Sequence, residues 1–278
     1  MTEKPIAVIV GATTKWRRDG HMTKLIHGHE VDDSALPEFA RYGVGGAVAQ
    51  KFATEGCHVI LTTRTAANAD DLAETIRGQG GAVSVVEMDL SRDESIASAF
   101  ARIRAEWGDP EILIYNAGYP DGRELPKEME LLENMPTAIF DTAMAVSCRG
   151  PFLVAKEVLP AMRARGRGSF LFSNNAASLR GRKRHTGESL YYPRVMMRTL
   201  SQVLTEEYSE HGVHVANVVI DGLIDSPGTR ALPKARDNPD IVINPEKIAE
   251  AFWYLHGQDR SCWSHEIQLT PFPQKPSC

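Results

Sequence analysis

Apolar residues along this chain gather into short runs of aliphatic and β-branched side chains, separated by longer stretches with helical spacing. The runs Ile6–Val10, His58–Thr63, Ala82–Met88, Glu111–Tyr115, Ser169–Ser173, Val213–Ile220 and Glu266–Leu269 predict strands. Most of them are continuous rather than alternating, as expected for strands covered on both faces of a parallel sheet. Between them the periodicity predicts helices over Gly45–Glu55, Asn68–Arg77, Asp93–Trp107, Thr137–Arg163, Tyr191–Glu210 and Pro245–Leu255. Such alternation, with right-handed crossovers, predicts an α/β fold: a doubly wound parallel sheet of the Rossmann type. No repeat, low-complexity tract or Pro/Ser-rich linker divides the chain, so residues 1–278 read as a single domain.

One stretch interrupts the rhythm. Residues 12–42 separate Gly11 from Gly43, where a βα loop usually has about 2–6 residues. The inserted part, residues 13–42, is polar and balanced in charge and carries His21, His27 and His29. These histidines and Glu30 lack a recognised ligand spacing and a cysteine companion, so no metal is expected. A lid over a site is the expected role for a loop this long.

Composition narrows the class. With 278 residues, 42% hydrophobic and 24% charged, the chain has ordinary globular proportions. A net charge of −5 argues against nucleic acid as a partner. No apolar run approaches the roughly 20 residues that cross a bilayer, so no membrane association is expected. The opening MTEKPIAVIVGATTKW lacks the pattern of a signal peptide. Cys57, Cys148, Cys262 and Cys278 lie far apart without a CxxC pair, which predicts reduced thiols and a cytoplasmic protein.

The first strand ends in Gly11, and a helix opens at Gly43-Val44-Gly45-Gly46. Glycine lets backbone N–H groups approach a pyrophosphate, and a helix N-terminus adds partial positive charge. With the motifs that follow, the chain resembles the short-chain dehydrogenase/reductase family over nearly its full length. Gly11, Gly43 and Gly45 stand at the glycines of the family's TGxxxGxG pattern, which the insertion splits. Asp89-Leu90 matches the acidic pair that touches adenine in relatives, and Asn116-Ala117-Gly118 matches the NAG motif. Asp221-Gly222-Leu223-Ile224-Asp225-Ser226 is similar to the PGxxxT segment at the nicotinamide end, with Asp221 where proline is usual. The resemblance implies cofactor contacts from Gly11, Gly43, Val44, Gly45, Asp89, Leu90, Asn116, Ala117, Gly118, Ile224 and Ser226.

The second strand bears on which dinucleotide. NAD-preferring relatives end it with an acid for the ribose 2′-hydroxyl, whereas a nearby arginine accommodates a 2′-phosphate. Here Thr63 stands at the acidic position and Arg64 follows, so NADP is the expected cofactor.

The catalytic positions depart from the family. Aligned by motif, Ser147 stands at the helical asparagine, Asn175 at the serine, Arg194 at the lysine and Leu190 at the tyrosine. Tyr191 and Tyr192 lie one and two residues beyond; of the pair, Tyr191 is the expected acid, with Arg194 one turn along the same face. Asn175 can orient a carbonyl, while the competing reading has Asn174 and Asn175 satisfy loop backbone. Arg180, Arg182, Lys183, Arg184 and His185 form a basic loop on the side where the resemblance implies substrate; a solvated surface is the simpler reading. The leading expectation is an NADP-dependent oxidoreductase acting on a carbonyl/alcohol pair of a small organic substrate. The alternatives on the same scaffold are a non-redox lyase or isomerase and a non-catalytic nucleotide-binding relative. Helices Thr137–Arg163 and Tyr191–Glu210 correspond to those that pair in relatives, implying a homodimer or homotetramer.

Overall fold

In the computed structural model, residues 4–12, 16, 23–24, 30–31, 36–118, 129, 131–179, 192–230 and 232–277 are described. Seven parallel strands form one sheet: β1 (Ile6–Val10), β2 (His58–Thr63), β3 (Ala82–Glu87), β4 (Ile112–Tyr115), β5 (Gly168–Asn175), β6 (Val213–Ile220) and β7 (Glu266–Leu269). Their order is β7-β6-β5-β4-β1-β2-β3. The chain thus builds outward from β1 in one direction, then returns to pair β4 on its other side. That reversal opens a crevice beyond the carboxyl ends of β1 and β4, the usual ligand position in such sheets. Register fixes its rim, because Val10 lies opposite both Thr62 and Tyr115. Gly11, Thr63 and Asn116 therefore emerge side by side.

Alternate residues of β1 feed opposite faces, as strand pleating requires. Ala7 and Ile9 join one core with α1 (Gly43–Thr54), α2 (Asp70–Gly78) and α6 (Pro245–His256). Ile6, Val8 and Val10 join the other with α3 (Asp93–Glu106), α4 (Thr137–Arg165) and α5 (Tyr192–Tyr208). At the α1–α6 contact, Phe52 is fully buried and meets Trp253 edge-on at 5.1 Å between ring centroids.

Three sequence expectations need correction. α1 starts at Gly43 rather than Gly45; Gly43 takes a φ of +59°, which glycine adopts at little cost. α4 is interrupted by a π-helical turn at Ala145–Arg149, so its inner face shifts midway. α4 is also long and apolar enough to cross a membrane by length and composition, contrary to the absence of any such run. Here Val154, Val158, Leu159 and Met162 pack it onto the sheet as a core helix.

The insertion is not wholly polar where it is described. Trp16, Leu36, Ala40 and Tyr42 are buried in the α1 core. Trp16 meets Tyr42 edge-on at 5.3 Å, and the Arg41 guanidinium lies 5.1 Å from the Trp16 ring. The Tyr42 hydroxyl is 2.9 Å from Thr75 Oγ1, tying the exit of the insertion to α2.

Replacing Phe52 with Ala should destabilise the fold by about 3–5 kcal/mol, the usual cost of emptying a buried aromatic site. Urea unfolding of the two proteins measures this directly.

Candidate functional site

A cavity of about 610 Å³ opens above the carboxyl ends of β1, β2, β4, β5 and β6. Its floor is backbone. Gly11 has a φ of +81°, and a Cβ there would come within 2.6 Å of Ala117 Cα. A Cβ on Gly45 would strike the Gly11 carbonyl oxygen and stand 2.7 Å from Asn116 Nδ2. That Nδ2 donates to the Gly11 carbonyl at 2.8 Å, and the Asn116 amide donates to Val10 at 2.9 Å. Asn116 therefore holds the glycine loop shut against α1 despite the insertion. Gly11, Gly43 and Val44 line the cavity where α1 begins. Bare backbone at a helix N-terminus is an arrangement that can receive an anion.

One end of the cavity is walled by Thr62, Thr63, Arg64, Asn68, Asp89 and Ser91. Asp89 Oδ1 accepts from the Ser91 amide at 2.9 Å and the Ser91 hydroxyl at 2.7 Å. Burial pushes this carboxyl up, but the Ser91 hydrogen bonds, with Arg64 and Arg92 nearby, hold it below the ordinary range. The arginine and carboxylate singled out by sequence thus face one space. Leu90 lines it beside them.

The opposite end is formed by Gly118, Ser173, Asn174, Asn175, Arg194, Leu223, Ile224, Ser226 and Thr229. Arg194 Nη1 donates to the Ser173 carbonyl at 3.2 Å. Gly118 lies under the Arg194 guanidinium, where a Cβ would sit 2.5 Å from Nη2 and push that group aside. Asn174 is committed to the fold: Nδ2 donates to Asn217 Oδ1 and the Arg194 carbonyl, both at 3.2 Å. Asn175 divides its roles. Its Oδ1 accepts from the Ala177 amide at 3.1 Å, as the backbone reading expected. Its Nδ2 has no partner among the described residues, and Asn175 lines the cavity. Leu223–Ile224 pairs in parallel with Val242–Ile243, and Ser226 Oγ accepts from the Thr229 amide at 3.2 Å.

Ser147 does not reach this space. It is buried within the π-turn, and Thr142 and Val146 line the cavity instead. The wider turn shifts the helix face, which the family register did not anticipate. The buried Tyr115 hydroxyl donates to the Val146 carbonyl, in room left by Gly150. Thr62, Thr63, Asn68, Ser91, Thr142, Val146 and Thr229 were not assigned cofactor or catalytic roles from sequence. Strand ends signal the two threonines, whereas Thr142 and Val146 depend on the π-turn. Tyr191, the basic stretch 180–185 and His21, His27 and His29 lie outside the described residues.

A crevice where the sheet order reverses, with bare glycine backbone at a helix N-terminus, an arginine and a carboxylate at one end and a polar far end, is of the kind that takes an extended ligand, and comparison with known proteins supplies the family. A family model described as enoyl-(acyl carrier protein) reductase matches residues 39–263. The chain belongs to the short-chain dehydrogenase/reductase family and is an NAD(P)-dependent oxidoreductase of that family. It is 28% identical to cis-4-hydroxycyclohexanecarboxylate dehydrogenase of Sinomonas cyclohexanicum, over 78% of this chain and 86% of that one. It is also 28% identical to the 3-oxoacyl-[acyl-carrier-protein] reductase FabG of Pseudomonas aeruginosa, over 73% and 78% respectively. Among solved structures, a metagenomic short-chain oxidoreductase in complex with NADP shares the fold. Its TM-score is 0.72 at 22% identity, covering 97% of this chain and 98% of that chain.

Gly45→Ala should lower dinucleotide affinity by about tenfold or more, because its methyl group forces the backbone of Gly11 and Ala12 away from the start of α1. Calorimetric titration with NADPH and NADH provides the check.

Proposed function

We propose that this chain is an NADP-dependent oxidoreductase that reduces a carbonyl, or oxidises the matching alcohol, on a small organic substrate. The observation that carries the reading is one continuous cavity running from Arg64 to Asn175 and Arg194. Thr63 at the tip of β2 leaves no carboxylate to repel a 2′-phosphate, and Arg64 supplies a forked cation for it. Gly11, Gly43, Val44 and Gly45 hold the pyrophosphate; Asp89 and Leu90 flank adenine. Asn116, Ala117, Gly118, Ile224 and Ser226 border the remainder of the dinucleotide.

NADP supplies hydride chemistry when bound, and the chain orients and protonates. Asn175 directs Nδ2 at the substrate oxygen, steadying charge that develops there. Arg194 holds ribose hydroxyls through its guanidinium; it stays cationic and does not titrate as a lysine would. Tyr191 donates the proton to the substrate oxygen, which an alkoxide requires. Ser147 is buried in α4 and does not line the cavity.

A second reading, a non-redox lyase or isomerase, draws on the same departures: asparagine for serine at 175 and arginine for lysine at 194. A non-catalytic nucleotide-binding relative would keep the cradle alone. NADPH binding without turnover favours the last, and no binding favours the second.

We infer a homodimer or homotetramer, supported by exposed apolar side chains on α4 (Phe152) and α5 (Met196, Val203). The cytoplasm is the compartment that suits the free thiols Cys57, Cys148 and Cys262.

Arg64→Ala should weaken NADPH binding by about tenfold or more while leaving NADH nearly unchanged, the signature of a lost charge-assisted phosphate contact. Equal losses for both would exclude the 2′-phosphate role. Tyr191→Phe should lower turnover by about 10²-fold with NADPH affinity retained. Full activity in both Tyr191→Phe and Tyr192→Phe would rule out a phenolic acid.

A further inference from the structure

Asp221 directly follows β6 and is almost fully buried. A buried carboxylate is costly unless its oxygens are satisfied, and here the donors come from the end of the described chain. Ser277 donates twice: its amide to Oδ2 at 2.7 Å and its hydroxyl to Oδ1 at 2.6 Å. Gln268 Nε2 donates to Oδ2 at 2.7 Å. Gln274 Nε2 donates to the Asp221 carbonyl at 3.0 Å and to Oδ1 at 3.4 Å. The Asp221 amide in turn donates to the Leu269 carbonyl at 2.8 Å.

The segment that follows β7 is thereby folded back over the loop after β6. Pro271 closes on Gly222 so tightly that a Cβ at 222 would stand 2.7 Å from Pro271 Cδ. Gly222, Leu223, Ile224 and Ser226 are the loop's contribution to the cavity wall. Asp221 thus fixes the start of this loop through partners remote in sequence.

We propose that residues 270–277 form a strap, pinned by Asp221, that positions the Gly222–Ser226 wall against the nicotinamide half of the bound dinucleotide. The inference rests on the cofactor reading above. Asp221 and Ser277 are positioning residues, acting through the loop rather than on the reacting atoms. A positioning role predicts a split between the two halves of the ligand. The adenosine end meets Arg64 and Asp89, on the far side of the cavity, and is indifferent to the strap.

Ser277→Ala, Ser277→Thr and Asp221→Asn are titrated calorimetrically with NADPH and with 2′-phospho-ADP-ribose, which lacks the nicotinamide. Ser277→Ala and Asp221→Asn should weaken NADPH by about tenfold, the scale of a lost hydrogen bond to a charged group, with the fragment changed by less than about twofold. Ser277→Thr keeps the hydroxyl and should bind NADPH as the parent does. Equal weakening of both ligands, or no change in either, overturns the strap. Should Asp221→Asn not fold, Ser277→Ala decides alone, because it leaves the carboxylate its other donors. A parent protein that binds neither ligand overturns the cofactor reading instead, and the strap with it.

Discussion

The carbonyl of Gly11 is the point on which the site depends. It lies against the α carbon of Gly45 and accepts the Asn116 side-chain amide at 2.8 Å. Three elements distant in sequence, the end of β1, the first turn of α1 and the end of β4, therefore meet at one carbonyl, bridged by the Asn116 side chain. A methyl group on Gly11 or Gly45 would enter occupied space, and the hydrogen bond would have nothing to close on. The crevice between β1 and β4 is narrow because these backbones touch, and a narrow crevice lets helix-terminal N–H groups reach an anion.

Around this contact the site divides into two electrostatic halves. At one end Arg64 and Arg92 help keep Asp89 ionised against the burial that opposes it. At the other, the Arg194 guanidinium is fixed by the Ser173 carbonyl, and the neutral amide of Asn175 stands nearby in the wall. Neither end relies on a buried, unpaired charge, which would cost several kcal/mol in such surroundings.

Much of this arrangement was legible in the residues themselves. Uninterrupted apolar runs such as IAVIV and VHVANVVI can be satisfied only between two helical layers, so the seven strands and their parallel pairing followed from the pattern. Gly11, Gly43 and Gly45 were readable because Gly11 and Gly43 take a positive φ, and Gly11 and Gly45 leave no room for a Cβ. What the sequence concealed depended on long-range packing. The π-turn at Ala145–Arg149 has no local signature, so Ser147 was expected in a cavity that Val146 and Thr142 line. The burial of Trp16 and Tyr42 was masked by the polar residues around them, and it follows from the T-shaped contact between the rings and the Tyr42 hydroxyl's bond to Thr75. Asp221 read as an oddity because its donors at Gln268, Gln274 and Ser277 lie some fifty residues away, beyond the reach of any local pattern.

The anchoring of the insertion also bears on how such a chain diversifies. Ala12 and Gly45 are held together by the glycine contact, and Trp16 and Tyr42 clasp each other just outside it. Chain added between two points already fixed in space loses little entropy, since doubling a loop's length costs only about 0.6 kcal/mol. The aromatic clasp thus works as a socket. Segments of different length and chemistry can be exchanged between Trp16 and Tyr42 while the glycine turn keeps its shape, giving natural variation and protein engineering a place to change the chain without rebuilding the contact of Gly11 with Gly45.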